Sequence, residues 1–292
     1  MKTRIITAIA AICVLIPCLI WSDTPLFPIA CGIVALIALF EITGCIGIRK
    51  KWFLSVTTFL YGVVISVIVT YYFVGLKNDL ISSYGIFSYP NITAMIFAAT
   101  FAYIFLIFCF TMLSMGEIKF LQAAELIAWT IYIMLGIMSI ALLRRQTAGN
   151  YLYGLIFIGA WMTDTGAYFV GVLFGKHKLI PKVSPKKTIE GSVGGILGCI
   201  AGFVLYGFII QSVCEVNVNY VAMIILAAII SVVSQFGDLV ASYIKRERGI
   251  KDFGFIFPGH GGILDRFDSI IAVAPTIYFI TCFTMSAFPI FF

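Results

Sequence analysis

The chain reads as an all-α polytopic membrane protein of about nine transmembrane helices, with the N-terminus cytoplasmic and the C-terminus outside. Three observations lead to that reading. Charged residues make up 11% of the 292 and hydrophobic ones 62%, whereas an ordinary soluble domain is about 25% charged. The apolar residues come in long runs rather than in the alternation of an outer-membrane barrel. The basic residues fall on alternate connections between those runs. A soluble enzyme, a secreted disulfide scaffold and a disordered chain all fit this composition poorly.

The first run covers residues 5–20 and follows Lys2 and Arg4. A signal peptide has this look, but no small-residue A-x-A site follows and a second run starts near Leu26, so a retained span is expected. The later runs are residues 26–48, 52–76, 92–113, 121–143, 151–174, 191–211, 220–240 and 263–288. Each approaches the roughly 20 residues that cross the hydrocarbon layer. Their backbone groups must be satisfied internally, which makes them helices. With the N-terminus inside, every Lys and Arg except Lys77, Arg144 and Arg145 lies on the cytoplasmic side. The cysteines lie mainly in apolar runs, with no CxxC or Cys/His spacing, and read as small packing residues. Residues 1–150 form a hydrophobic region of five spans, and residues 151–292 carry four spans and two polar cytoplasmic loops.

Polar chemistry is concentrated in that second region. The segment from Lys176 to Gly191 holds five lysines. Lys186, Lys187 and Thr188 stand directly before a helix start, with Glu190 near its first turn. A helix N-terminus offers unpaired N–H groups and partial positive charge to phosphate, so these residues are candidate phosphate ligands. The bland alternative is a positive loop lying on anionic headgroups. Asp164, inside an apolar span, is a second candidate, because a carboxylate at membrane depth is costly. Gly194, Gly198 and Gly202 lie four apart on one helix face. That face suits close packing within the chain, a homodimer seam being the alternative.

The richest segment runs from Asp238 to Asp268. Asp265 and Asp268 are three apart on one helix face, and Asp238 ends the preceding span. Carboxylates that converge suit a divalent cation such as Mg²⁺. Lys245, Arg246, Arg248 and Lys251 can neutralise phosphates, and Gly259, Gly261 and Gly262 admit close backbone approach. His260 can hydrogen-bond a phosphate or the turn; zinc would need further ligands. Acids for a metal, bases for phosphate and a glycine-rich turn together indicate phosphoryl or nucleotidyl transfer.

The order of residues here resembles the signature of the phosphatidate cytidylyltransferase (CDP-diacylglycerol synthase) family. The matching positions are Ser242, Ile244, Lys245-Arg246, Lys251-Asp252, Gly254, Phe257-Pro258, His260-Gly261-Gly262-Ile263, Asp265-Arg266, Phe267 and Asp268. The stretches DTGAYFVG and SPKKTIEG upstream resemble the family too, whereas residues before Asp164 match only as a hydrophobic region. The resemblance implies transfer of CMP from CTP to phosphatidic acid, giving CDP-diacylglycerol and pyrophosphate, in phospholipid biosynthesis. It implies Mg²⁺ or Mn²⁺ held by Asp238, Asp265 and Asp268. Lys245 and Arg246 would contact phosphates and Lys186-Lys187-Thr188 would help hold a substrate. Asp164, Glu190, Ser242, Lys251, His260, Gly261, Gly262 and Arg266 are expected around the substrates. The expected setting is a bacterial inner membrane, with the site facing the cytoplasm and no nucleic-acid partner. A secondary transporter is the alternative from another class, but its polar groups should lie near the midplane. A CTP-dependent lipid kinase would move the γ-phosphoryl group instead. A CDP-alcohol phosphotransferase motif is absent.

Overall fold

The computed structural model describes residue 13 and residues 16–77, 89–257, 261–284 and 289–292. The expected first span at residues 5–20 lies largely outside the described residues. Eight long helices follow: α1 (Leu26–Cys45), α2 (Trp52–Lys77), α3 (Tyr89–Leu113), α4 (Phe120–Arg144), α5 (Gly149–Phe174), α6 (Ile189–Cys214), α7 (Tyr220–Glu247) and α8 (Leu264–Thr284). Each contains a segment long and apolar enough to cross a membrane. The protein is thus an all-α integral membrane protein, as the composition demands.

Two differences from the sequence expectation bear on function. The basic stretch before α6 is not an open loop. It forms an antiparallel hairpin of β1 (Lys178–Ile180) and β2 (Ser184–Thr188), with Lys178 opposite Thr188 and Ile180 opposite Ser184. Second, α7 runs about two turns beyond the apolar run that was expected to end near Val240. Hydropathy falls there because the chain reaches polar surroundings, but Ala, Tyr, Ile, Lys, Arg and Glu continue a helix readily. Asp238, Ser242 and Lys245, at i, i+4 and i+7, therefore share one helix face.

The chain divides into two compact units, residues 1–145 with 252–266, and residues 146–251 with 267–292. The first unit packs α1 to α4. Polar side chains link its helices: Tyr103 donates to Thr130 Oγ1 at 2.9 Å and stacks on Tyr61, and its hydroxyl lies 3.3 Å from that of Thr58. Such bonds help hold helices together where lipid offers no partner. Arg144 and Arg145, the two arginines that fit the charge asymmetry least well, are engaged within this unit. Arg145 Nη1 meets Asp23 Oδ1 at 2.9 Å, its guanidinium lies over the Phe73 ring, and Arg144 Nε donates to Ser22 Oγ. Most of the α3 span is unburied, and Phe97, Phe101 and Phe105 face outward as lipid-facing residues should.

The second unit is organised by glycine. A Cβ on Gly166 of α5 would come within 2.5 Å of the Gly194 carbonyl oxygen on α6; one on Gly198 would meet the Met162 carbonyl at 2.9 Å. Gly202 packs in the same way on Met162, and Gly194 on Val170. The Gly194–Gly198–Gly202 face is therefore filled by α5 of the same chain and offers no dimer seam. A Cβ at Gly237 would press on Ala272 Cβ and on the Asp268 carbonyl, each at 3.0 Å, so α7 and α8 also touch closely. At the other end of these helices the last residues of the chain pair with the α6–α7 connection. Asn217 N–H donates to the Phe292 carbonyl and Asn219 N–H to that of Ile290.

Candidate active site

Local rules place the basic residues. Thr188 caps α6, its Oγ1 accepting the Gly191 N–H at 3.1 Å, as an N-cap threonine does. Glu190, in the first turn of α6, accepts the N–H groups of Lys176 at 3.1 Å and His177 at 3.2 Å, and its Oε1 lies 2.6 Å from His177 Nδ1. Glu190 therefore locks the base of the hairpin to the start of α6. Side chains alternate along a strand, so Lys186 stays exposed while Lys187 is half-buried. Lys187 Nζ reaches Asp238 Oδ2 at 2.5 Å.

Asp238 is one of three converging carboxylates. The charges of Asp164 on α5, Asp238 on α7 and Asp268 on α8 act on one another, with Lys187 and Lys245 among the cations that offset them. Ser242 Oγ lies 3.4 Å from Asp238 Oδ1, and Asp268 Oδ1 accepts the following N–H, of Ser269, at 2.8 Å. On the helices that carry Asp238 and Asp268, the buried hydroxyls of Ser234 and Ser269 have no hydrogen-bond partner, although burial normally demands one. Three acids drawn from three helices are costly together unless cations join them. The close packing permitted by Gly166 and Gly237 brings their helices near enough to do so.

Within the first unit, Asp265 has a different occupation. It is 8% exposed, and its Oδ2 accepts the N–H groups of Phe253 at 2.8 Å and Gly262 at 2.9 Å. It thereby closes the turn that leads into α8. Gly261 in that turn has φ +83°, a conformation that favours glycine. Facing the same turn is Glu41 of α1, which accepts the N–H groups of Ile263 and Leu264. Glu41 is absent from the residues that the sequence singles out, yet the signal was there: an acid inside the apolar run 26–48. Asp164 gives the same signal beside a motif; Glu41 lacks a neighbouring motif.

Of the residues expected at the site, Asp164, Asp238, Ser242, Lys245, Asp268 and Lys187 come together in the second unit. Thr188 and Glu190 shape the hairpin that delivers Lys187. Lys186, Arg246 and Lys251 are exposed, and so is Arg266. Gly261, Gly262 and Asp265 belong to the turn before α8. His260 lies outside the described residues.

The acids suit a hard divalent cation by donor type, all being carboxylate oxygens. No group of three His, Cys, Asp or Glu side chains among the described residues is preformed to hold a metal ion. Mg²⁺ keeps several waters and commonly binds through one or two carboxylates plus substrate phosphates.

The chain is similar to known proteins along nearly its whole length. The profile of the cytidylyltransferase family matches residues 2–284. A protein of Staphylococcus haemolyticus named phosphatidate cytidylyltransferase is 36% identical over 278 residues, covering 95% of this chain and 97% of the relative. Proteins of the same name from Staphylococcus epidermidis and Staphylococcus aureus are each 35% identical with the same coverage. The glycine-packed helices, the three acids and the lysines beside them lie inside the matched region, and the chain belongs to the cytidylyltransferase family.

Proposed function

We propose that this protein is a phosphatidate cytidylyltransferase: it transfers the CMP unit of CTP to phosphatidic acid, forming CDP-diacylglycerol and releasing pyrophosphate. The observation that carries the reading is the meeting of Asp164, Asp238 and Asp268 with Lys187 and Lys245 on membrane-spanning helices and their hairpin. Relatives that span nearly all of the chain carry the name of this activity.

The chemistry asks mainly for electrostatics. A phosphate oxygen of the lipid attacks the α-phosphorus of CTP, and the bond to the β-phosphate oxygen breaks with pyrophosphate leaving. The nucleophile is already anionic, so no strong general base is needed. Two polyanions must approach, and positive charge fixed in a water-poor site stabilises that approach best. Lys187, Lys245 and Arg246 are the proposed phosphate contacts, with Ser242 orienting Asp238. Mg²⁺ or Mn²⁺, held by Asp238 and Asp268 with Asp164 near them, would draw charge from the phosphate oxygens and the leaving pyrophosphate. Asp265, with one oxygen committed to the turn, fixes the start of the helix that carries Asp268. The site faces the cytoplasm, where CTP is found, and the host is a bacterial inner membrane.

The test uses purified protein in detergent with phosphatidic acid, Mg²⁺ and CTP labelled separately at the α- and γ-phosphates. Entry of α-label into lipid, with γ-label released as pyrophosphate, is the expected result. Entry of γ-label into lipid would make the protein a lipid kinase, and movement of neither would return the transporter reading.

A further inference from the structure

Gln235 of α7 is a buried amide, 7% exposed, on a membrane-spanning helix. A polar group there is costly unless it is hydrogen-bonded. Gln235 meets that demand: its Nε2 donates to the Ser192 carbonyl at 3.2 Å and to Ser231 Oγ at 3.3 Å, and its Oε1 accepts the Ser192 hydroxyl at 2.5 Å. A carbonyl can only accept, which fixes the end of the amide that carries the N–H groups. One residue of α6 is thus held by both its main chain and its side chain. Gly195, one turn along α6, makes room for this grip, since a Cβ there would stand 3.2 Å from Gln235 Nε2. The clamp lies beside the acids and lysines. Ser192 follows the cap Thr188 by one turn of α6, and Lys187 directly precedes that cap. Gln235 and Asp238 are three apart, on the same face of α7. Lys187 and Asp238 form an ion pair. Two links therefore join the start of α6 to α7 about one helical turn apart, one neutral and buried, the other charged and half-buried. Lys187, Ser192, Gln235 and Asp238 all belong to the second unit.

We infer that Gln235 is a positioning residue for cytidylyl transfer: it holds the start of α6 against α7, so that Lys187 and Asp238 keep facing each other when substrates replace their mutual ion pair. This rests on the proposed activity. A lysine that neutralises an aspartate does not serve a phosphate, and that aspartate does not serve a cation, so the reaction as proposed requires the pair to part. Once parted, the two charged side chains no longer fix the distance between hairpin and helix. The amide clamp has no charge to exchange with a phosphate or a metal ion and is buried from both, so it outlasts that change. Methionine at position 235 keeps the length and nearly the volume of glutamine but bonds to neither part of Ser192. The serine hydroxyl can then fall back on the carbonyl one turn earlier in its own helix, which leaves no orphaned group.

The experiment compares wild type with Gln235→Met, both purified in detergent. It measures thermal melting, kcat at saturating CTP, lipid and Mg²⁺, and the reactivity of Lys187. The last needs neither substrate nor metal. A water-soluble amine-acylating ester is added to the protein alone, and mass spectrometry follows the rates at Lys187 and at Lys186, the exposed neighbour that serves as internal reference. The expected result for the variant is at least a tenfold fall in kcat and at least a threefold rise in the Lys187-to-Lys186 ratio, with little change in melting. A wild-type kcat or a wild-type ratio in the variant would overturn the inference. So would a loss of rate that tracks only the folded fraction, for that is a purely structural role. If Gln235→Met does not accumulate, Ser192→Ala is read by the same quantities, because it removes the shortest bond of the clamp and leaves the other two in place. Wild-type protein that moves no α-label into lipid would sink the activity reading itself; an active wild type with an unaltered variant sinks only the role of Gln235.

Discussion

At the scale of single residues, acids that gather differ from acids that hold chain. Asp238 and Asp268 meet Asp164 and two lysines, whereas Asp265 and Glu41 spend their oxygens on backbone N–H groups. The two kinds should respond differently to the loss of one charge. Asp238→Asn and Asp268→Asn each remove charge from the phosphate-binding face. A fall in kcat of about 10²–10³-fold is expected, the scale of losing one electrostatic contact in a closed site, with thermal melting at or above wild type because like-charge repulsion is relieved. A melt that collapses with the rate would show that these acids are structural. Asp265→Asn retains one acceptor oxygen for the turn, so the protein should insert and purify and lose far less turnover than either of those variants. A loss of turnover as deep as theirs would show that Asp265 does more than hold the turn. Chelation should stop the reaction in every active form, and full activity in thoroughly chelated protein would exclude the divalent cation. The sequence made Asp238, Asp265 and Asp268 stand out together because it shows spacing, not direction. It could not show that Asp265 turns back onto its own loop, because that depends on where Phe253 and Gly262 point their N–H groups. Nor could it rank Glu41, whose partners lie more than 200 residues away in the chain.

At the scale of elements, the second unit depends on backbone-to-backbone approach. The spacing of Gly194, Gly198 and Gly202 was legible, as was the close packing it permits. Which partner fills that face was not, because α5 bears the matching Gly166 and small-residue approach is a property of both surfaces. Gly166→Ala tests this packing with one methyl group. Its Cβ would come within 2.5 Å of the Gly194 carbonyl oxygen, a backbone atom that cannot rotate aside. The helices must part, at a cost of about 1–3 kcal/mol if overpacking here resembles other cores. A lower melting temperature in detergent and reduced turnover are expected, since Asp164 rides on the same helix two residues earlier. Unchanged melting would mean that α5 and α6 are looser than described. The length of α7 teaches a related lesson. Hydropathy marks where a helix leaves the apolar layer, not where it ends, so Ser242, Lys245 and Arg246 read as loop residues although they continue the face of Asp238.

At the scale of the whole chain, the helices give candidate spans and the basic residues give an expectation for their direction that an experiment can test. The hairpin and the α6–α7 connection stand at opposite ends of α6, whose 26 residues extend about 39 Å at 1.5 Å per residue. That is enough to cross the hydrocarbon layer. Residues 217 and 219 bond to the chain end at 292 and 290, so α7 leads away from that side and α8 leads back to it. Lys182 in the hairpin turn and Asn217 must therefore lie on opposite faces of the membrane, whichever way the protein is inserted. The five lysines between residues 176 and 187 favour the cytoplasm for the hairpin and outnumber the arginines at 144 and 145, which run against that asymmetry. In protein stripped of its eight cysteines, Lys182→Cys and Asn217→Cys report the two faces separately, since both positions are exposed. A membrane-impermeant maleimide applied to intact bacterial spheroplasts should label position 217 and spare 182, and permeabilisation should expose both. Labelling of 182 alone would place the acids and lysines on the face without CTP, and the proposed reaction would then lack its nucleotide. Labelling of both in intact cells would mean that α6 does not cross, and the path of the spans would have to be redrawn.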